Sequence, residues 1–545
     1  MVYMKVKSFS ARGAAVTAAL ALAVGGTVAT TAHAAAPTFI DCYQYSAGEP
    51  DHIDPALTST LAGASVATML YDGLTDTAAD GSLQPEVATK WKTPDSAKTW
   101  IFSIKSGLKF SNGEAVLPSS FVAGWKRSLD PKLASEVAYH GDFIAGMNAY
   151  SSGKGAWPAS SVVADDKAMT LTTKMEGPTP DWPAIVGHSV FSPMPKAMAT
   201  ADAKIEENGT KMIGNGPYML AEAITKRAGG TIVLVPNPKY AGSVSLSKIT
   251  FKISSDVNAA YNAFASGQCD NGPIPAGRYT ELLGKWGKGG LKSTLGTDYW
   301  GFNWEDPIVG GTKNVLLRSA IAKAIDKQQI SDVIYQGVRK PASGLLPPGL
   351  PGYKATGQGL TTTRDLDGAK KDLAKFVSGG GKVPTTPLRI SYNDGAGWDK
   401  VASIIIANLA EIGVPAKLDP FPADGTYFSK MRKGQGQIIR AGWFADYPIA
   451  DNFLYPLLDS KSIDGDNLER YNSPTFDAFI SAARACFGKV CANAQYQRAE
   501  AYALKKDIVI VPTVNRGIAA VLQPSVTSFP ITPLGMIAYD KIAKN

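Results

Sequence analysis

The segment Arg440-Ala441-Gly442-Trp443-Phe444-Ala445-Asp446-Tyr447-Pro448 concentrates chemistry in a short stretch: one guanidinium, one carboxylate and three aromatic rings, closed by a proline. Gln437 to Trp443 reads as a strand. Ile439, Ala441 and Trp443 then point to one face, and Ile438, Arg440 and Phe444 to the other. If the extended path continues, Asp446 shares a side with Arg440 and Phe444, and Pro448 ends ladder pairing. An aromatic floor with a carboxylate and a guanidinium at a strand end suits recognition of a zwitterion. The plainer reading puts Trp443 and Phe444 in a core and pairs Arg440 with Asp446.

Other chemistry is sparse. The chain has four histidines, and His52, His140 and His188 read as ordinary surface or buried residues. A hydrolase needs a nucleophile with its base, paired carboxylates or a metal. There is no G-x-S-x-G and no H-E-x-x-H, so a secreted hydrolase is the disfavoured reading and neither metal nor cofactor is expected. The four cysteines are Cys42, Cys269, Cys486 and Cys491. In an exported chain they suggest disulfides. Cys486 and Cys491 are close enough to staple a turn between two helices, which would leave Cys42 for Cys269; three connectivities are open in principle.

With 545 residues, two or three domains are expected. A composition 45% hydrophobic and 19% charged fits a soluble globular protein. Residues 1–34 resemble an export signal: Lys5, Lys7 and Arg12 precede an uncharged Ala/Val/Leu-rich run, and Ala32-His33-Ala34 offers a cleavage site near Ala34. Removing those three charges takes the net +8 to 8 − 3 = +5. No basic run exists to recruit nucleic acid. No later stretch is long and apolar enough to span a bilayer. Cys42 follows Phe39-Ile40-Asp41, which does not fit a lipobox, so no lipid anchor is expected.

The elements that must position the opening segment can be read in outline. Cys42 to Tyr45 is strand-like and Thr58 to Leu70 helical. Thr99 to Ile104 alternates with Trp100, Phe102 and Ile104 on one face. Ser119 to Ser128 and Asp256 to Ala265 are helices; Thr231 to Val235 and Lys248 to Ile253 are strands. Leu317, Ala320, Ile321, Ala324 and Ile325 line one helical face, with Asn314 as N-cap. Leu388 to Tyr392 is a strand, and Val401, Ile404, Ile405, Leu409 and Ile412 line a helix ended by Gly413. Strand–helix alternation across 305–510 argues for an α/β domain.

Several segments, in order, resemble the peptide-type (oligopeptide/dipeptide) solute-binding proteins of ABC importers, the extracellular solute-binding family 5. They are Leu70-Tyr71-Asp72-Gly73-Leu74, Leu83 to Ala88, Thr99 to Gly113, the corner Gly214 to Tyr218, Leu316 to Ile330, Arg440 to Tyr447 and Tyr471-Asn472-Ser473-Pro474. The resemblance spans nearly the whole mature chain. It implies an α/β, bilobed periplasmic-binding-protein-like fold with an additional inserted domain: lobe I from 37–85, 206–302 and 516–545, an inserted domain at 86–205, and lobe II at 303–515. Closure would bend near Asn303 and Thr513. Asp446 matches the position that holds a peptide α-ammonium in many members, a favourable pairing in a closed cleft. Trp443 and Phe444 would wall a side-chain pocket, with Tyr447 beside them. Arg440 and Arg432 resemble arginines that meet a peptide's carboxylate end. Trp398 stands where some members carry a basic side chain, a departure from their carboxylate clamp. Glu49, after the first strand, is a further cleft candidate, an exposed loop glutamate being its other reading. The implied function is capture of a short peptide and delivery to an ABC permease by a monomer that meets the membrane only through that permease. The alternatives within the fold are a non-peptide solute or a signalling-peptide sensor.

Overall fold

The computed structural model describes residues 36–46, 50–200, 205, 212–222, 230–355, 361–422, 426–486 and 488–545. Its organising element is a ten-stranded mixed sheet. The strands run in the order Ala416–Phe421, Leu388–Asn393, Ile438–Phe444, Gly290–Phe302, Ile510–Leu522, Asn271–Pro273, Thr38–Asp41, Lys248–Lys252, Thr231–Pro236, Tyr218–Leu220. Gly290–Phe302 and Ile510–Leu522 are antiparallel, 13 residues each, and lie at the centre. Their pairing slips between Ser293/Thr297 and again between Asp298/Tyr299, so that Thr513 falls outside the ladder. Bulges of this kind bend and twist a strand pair. The Thr513 hydroxyl donates to the Asp298 carbonyl at 3.0 Å. Asn303, by contrast, is buried, and its amide donates to the carbonyls of Gly434 and Gly436.

Separate apolar clusters lie along this sheet. One packs the helices Val315–Ala324 and Trp398–Ala410 against Leu388–Asn393, with Leu317, Ile321, Val401, Ile405 and Leu409 buried as their spacing predicts. Trp300 belongs to this cluster. Another gathers Phe39, Val66, Leu70, Ile249, Phe251 and the C-terminal Tyr539 and Ile542. A third surrounds a separate four-stranded antiparallel sheet, Ala88–Lys92, Thr99–Ile104, Thr170–Lys174, Val162–Asp165. There Trp100, Phe102 and Ile104 are buried on alternate positions, and Trp125, Trp182 and Phe191 stack edge to face.

Some boundaries differ from the sequence reading. The first strand is Thr38–Asp41, and Cys42 to Tyr45 turns away from it: the Asp41 carboxylate accepts the Tyr43 and Gln44 amides, which folds the backbone back. Asn314 precedes its helix without a capping bond, because its amide donates instead to the Pro307 and Gly310 carbonyls. Asp256 and Thr60 do cap theirs. Cys42 bonds Cys269, fixing the end of the first strand to the turn before Asn271–Pro273; Cys486 bonds Cys491 between the helices Pro474–Arg484 and Lys489–Ala501.

Candidate ligand-binding site

Strand Ile438–Phe444 sits between Gly290–Phe302 and Leu388–Asn393, but contact with the latter is confined to Ile438 and Ile439. From Arg440 onward one edge has no partner strand. The faces alternate as predicted. Ile439 and Ala441 enter one core and Trp443 packs on it, while Arg440 and Phe444 face the other way, into a cavity of about 520 Å³, within the range of small-ligand sites. Gly442 is required where it stands, since a Cβ there would collide with the Asp298 carboxylate. The cavity is also lined by Tyr43, Ser59 and Thr60 from the N-terminal segments, by Tyr139 and His188, and by Trp398, Arg339 and Arg516.

The extended path does not continue to Asp446. The chain bends after Phe444 and enters the helix Asp451–Leu458. Asn452, fully buried in the first turn of that helix, organises the bend. Its Oδ1 accepts from the Asp446 amide at 2.8 Å and from Trp443 Nε1 at 3.1 Å, and its Nδ2 donates to Asp446 Oδ2 at 2.8 Å. Asp446 and Arg440 do not pair; the Asp446 carboxylate, one quarter exposed, faces two histidines instead. His140 Nε2 lies 3.8 Å from Oδ2, and His188 Nε2 4.0 Å from Oδ1. Burial depresses both imidazoles, His140 strongly and His188 to about 4. They are therefore neutral at physiological pH and leave the carboxylate uncompensated. Burial also pushes Asp446 up to about 7, against the lowering bond from Asn452. Among the described residues no lysine or arginine lies within ion-pairing distance of it.

His140, His188 and Asp446 have the donor types of a metal site, with atoms within 4.8 Å of one another. One hydrogen bond argues against that use. Val190 N–H donates to His188 Nδ1, so neutral His188 carries its proton on Nε2, the atom that faces Asp446. A metal there would need the opposite tautomer, and the buried amide would lose its acceptor.

The remaining predicted residues fall as follows. Arg440 stacks on the Trp398 ring at 3.7 Å, and its Nη1 donates to Asn393 at 3.3 Å. Trp398 thus orients the guanidinium. Arg432 lines the cavity, but it is already committed to Glu136 at 2.6 Å, Asp466 at 3.0 Å, the Gly465 carbonyl and the Ser59 hydroxyl. Tyr447 lies behind the cavity wall, buried in the core of the smaller sheet with its hydroxyl 3.3 Å from His140 Nδ1. Glu49 lies outside the described residues. His140, His188 and Asn452 were not among the predicted site residues. No local pattern marks His140, which is 307 positions from Tyr447.

The cavity is walled by aromatic rings and carries Asp76 and Asp466 as well as Asp446, with Arg339, Arg432, Arg440 and Arg516. An apolar wall with a few charged groups of both signs suits a small-solute binding protein. Residues 82–465 match the family described as bacterial extracellular solute-binding proteins, family 5, and the chain belongs to that family. It is 29% identical over 448 residues to the oligopeptide-binding protein OppA of Bacillus subtilis, with 80% of each chain covered. Among solved structures, the Escherichia coli murein tripeptide-binding protein MppA superposes with a TM-score of 0.83 at 26% identity, over 93% of this chain and 98% of that one. Haemophilus influenzae OppA in complex with RPPGFSPFR gives 0.83 at 25% identity, over 94% and 99%. The fold is thus the bilobed α/β binding-protein fold. The unliganded open form of MppA gives only 0.62. The lobes of the present structure are therefore arranged as in the first MppA structure and not as in the open form.

Proposed function

We propose that this chain captures short peptides between its lobes and delivers them to the permease of an ABC importer. The observation that carries this reading is Asp446, a partly exposed carboxylate at the cavity wall beside two neutral imidazoles, which a peptide α-ammonium would compensate. Three further features support it. The strand edge beyond Arg440, whose own carbonyl accepts the Tyr427 hydroxyl, has no partner strand and suits main-chain hydrogen bonding to an extended ligand, with little regard to side chains. Trp443 and Phe444 wall the space where a first side chain would lie, and Arg440 offers a guanidinium to a carboxylate. The named relatives bind oligopeptides or a murein tripeptide.

In this reading lobe I comprises 37–85, 206–302 and 516–545, residues 86–205 form the inserted domain, and 303–515 form lobe II. Arg432 ties lobe II to the inserted domain through Glu136 and to lobe I through Ser59, so its role is a latch on the closed state. Closure bends at the bulge around Asp298 and Thr513. Residues 1–34 direct export and are cleaved near Ala34, no lipid anchor follows, and the protein acts as a monomer. The test is native mass spectrometry of protein purified without refolding, then denaturation and identification of what is released. Short peptides are expected; a sugar or metal chelate would overturn the reading. In parallel, Asp446→Ala should weaken free-amine peptides far more than N-acetylated ones, and equal loss would remove Asp446 as the ammonium anchor.

A further inference from the structure

Another part of the cavity wall carries a charge imbalance that one peptide carboxylate does not account for. Arg339, Arg440 and Arg516 come from three separate segments and converge on a single carboxylate, Asp298, in the central strand Gly290–Phe302. Asp298 is nearly inaccessible, with a side chain 3% exposed; those of Arg440, Arg339 and Arg516 are 8%, 15% and 18% exposed. Arg339 Nη1 donates to Asp298 Oδ2 at 2.8 Å. Asp298 Oδ1 lies 3.1 Å from Arg516 Nε and 3.9 Å from Arg440 Nη2, and neither contact has hydrogen-bonding geometry. The Nε atoms of all three arginines are buried without a hydrogen-bond partner. No other acid among the described residues lies within ion-pairing distance of the three.

Each guanidinium is also stacked: Arg440 on Trp398 at 3.7 Å, Arg516 on Phe444 at 4.0 Å and Arg339 on Tyr335 at 4.6 Å. Stacking on a ring face fixes the plane and leaves the N–H edges for an in-plane acceptor. All three arginines line the same cavity as Asp446. Three cations against one anion leave two positive charges in a largely dehydrated wall, and such charges are costly unless paired. A single terminal carboxylate needs only one of them.

We infer that Arg339, Arg440 and Arg516, gathered on Asp298, form a subsite for a doubly anionic ligand end, namely a peptide whose carboxyl-terminal residue is Asp or Glu and presents its side-chain and terminal carboxylates together. The inference rests on the peptide reading above. Arg440 and Asp446 are 446 − 440 = 6 positions apart. At about 3.3 Å per residue their backbones are separated by roughly 20 Å at most, so a short peptide can reach from one to the other.

The experiment is calorimetry on ligand-stripped protein with two matched series, alanine peptides of two to five residues ending in Glu or in Gln. The Glu peptide is expected to bind roughly tenfold or more tightly than its Gln partner at the best length. Arg339→Gln and Arg516→Gln should each collapse that ratio, and Arg516→Lys should restore part of it; thermal unfolding of each variant confirms that it folds. A ratio near one in the unaltered protein, or one unchanged in both Gln variants, overturns the subsite while leaving the peptide reading intact. Failure of every peptide in both series to bind overturns the peptide reading itself, and the subsite with it.

Discussion

Ligand affinity should follow a bell-shaped pH profile set by one residue of the protein and one group of the peptide. Asp446 must be ionised to hold an ammonium, and its carboxyl is pushed up to about 7 by burial in the unliganded site. The peptide α-amino group must be protonated and titrates near 7.8. The product of the two competent fractions is about 0.5 at pH 7.4 and about 0.01 at pH 5. Affinity should therefore fall roughly 50-fold over that interval, or about 2.3 kcal/mol. It should fall roughly 25-fold by pH 9.5, as the amine deprotonates. The neighbouring histidines and tyrosines do not blur the acidic limb. His188 stays neutral down to about 4 and His140 is held well below its ordinary range, while burial keeps Tyr139 and Tyr447 protonated. Asp466 adds to the rise at Asp446, and burial raises its own carboxyl too, so Asp446→Asn is the control that assigns the acidic limb. Isothermal titration of a free-amine tripeptide between pH 5 and 9.5 reads the profile. Asp446→Asn should lower affinity at least thirtyfold at pH 7.4 and abolish the acidic limb, and the N-acetylated peptide should lose the alkaline limb. A flat acidic limb in the unaltered protein, or an acidic limb that survives in Asp446→Asn, refutes the assignment.

The same substitution should stabilise the empty protein. The native carboxyl pKa is raised, so stability is lost as pH climbs from about 4 through about 7. Urea unfolding of ligand-stripped Asp446→Asn should show a gain on the order of 2 kcal/mol at pH 8, after discounting for its partial solvent access, and none near pH 4. Arg432→Ala should speed peptide dissociation about tenfold by breaking the contacts to Glu136 and Ser59 that hold the closed arrangement; an unchanged off-rate in stopped-flow measurements would remove the latch. Replacing Cys42 and Cys269 together by serine opens a covalent loop with a sequence separation of 227. That should cost on the order of 3–5 kcal/mol in denaturant unfolding, where replacing Cys486 and Cys491, only 5 apart, costs less.

What could be read from the sequence was the part encoded locally. The alternation of Trp100, Phe102 and Ile104, the helical spacing of Val401, Ile405 and Leu409, and the sided pattern of Ile438 to Phe444 each depend on neighbours a few positions away. Asp446 was singled out through resemblance to a family. Its surroundings were not legible, because His140 and His188 reach it from more than 250 positions upstream and carry no periodic signal. Arg339, Asp298 and Arg516 escaped notice for the same reason: Asp298 and Arg516 lie in two strands far apart in sequence, and Arg339, beside Lys340, sits in a loop that only the fold brings to them. The straight path to Asp446 failed in the site, and with it the expected place of Tyr447 beside the pocket. Asn452, six residues further on, captures both the backbone and the side chain of Asp446 and bends the chain.

The order of strands in the ten-stranded sheet also bears on biosynthesis. Ile510–Leu522 lies between Gly290–Phe302 and Asn271–Pro273, although nearly all of the chain precedes it. Until the ribosome has released that stretch, the sheet has a slot in its middle, with two unpaired edges facing each other across it. A nascent chain in this condition stays loose and edge-exposed. The central pairing of the sheet therefore cannot close until the last tenth of the chain has been made, so the two halves of the sheet are joined late in synthesis.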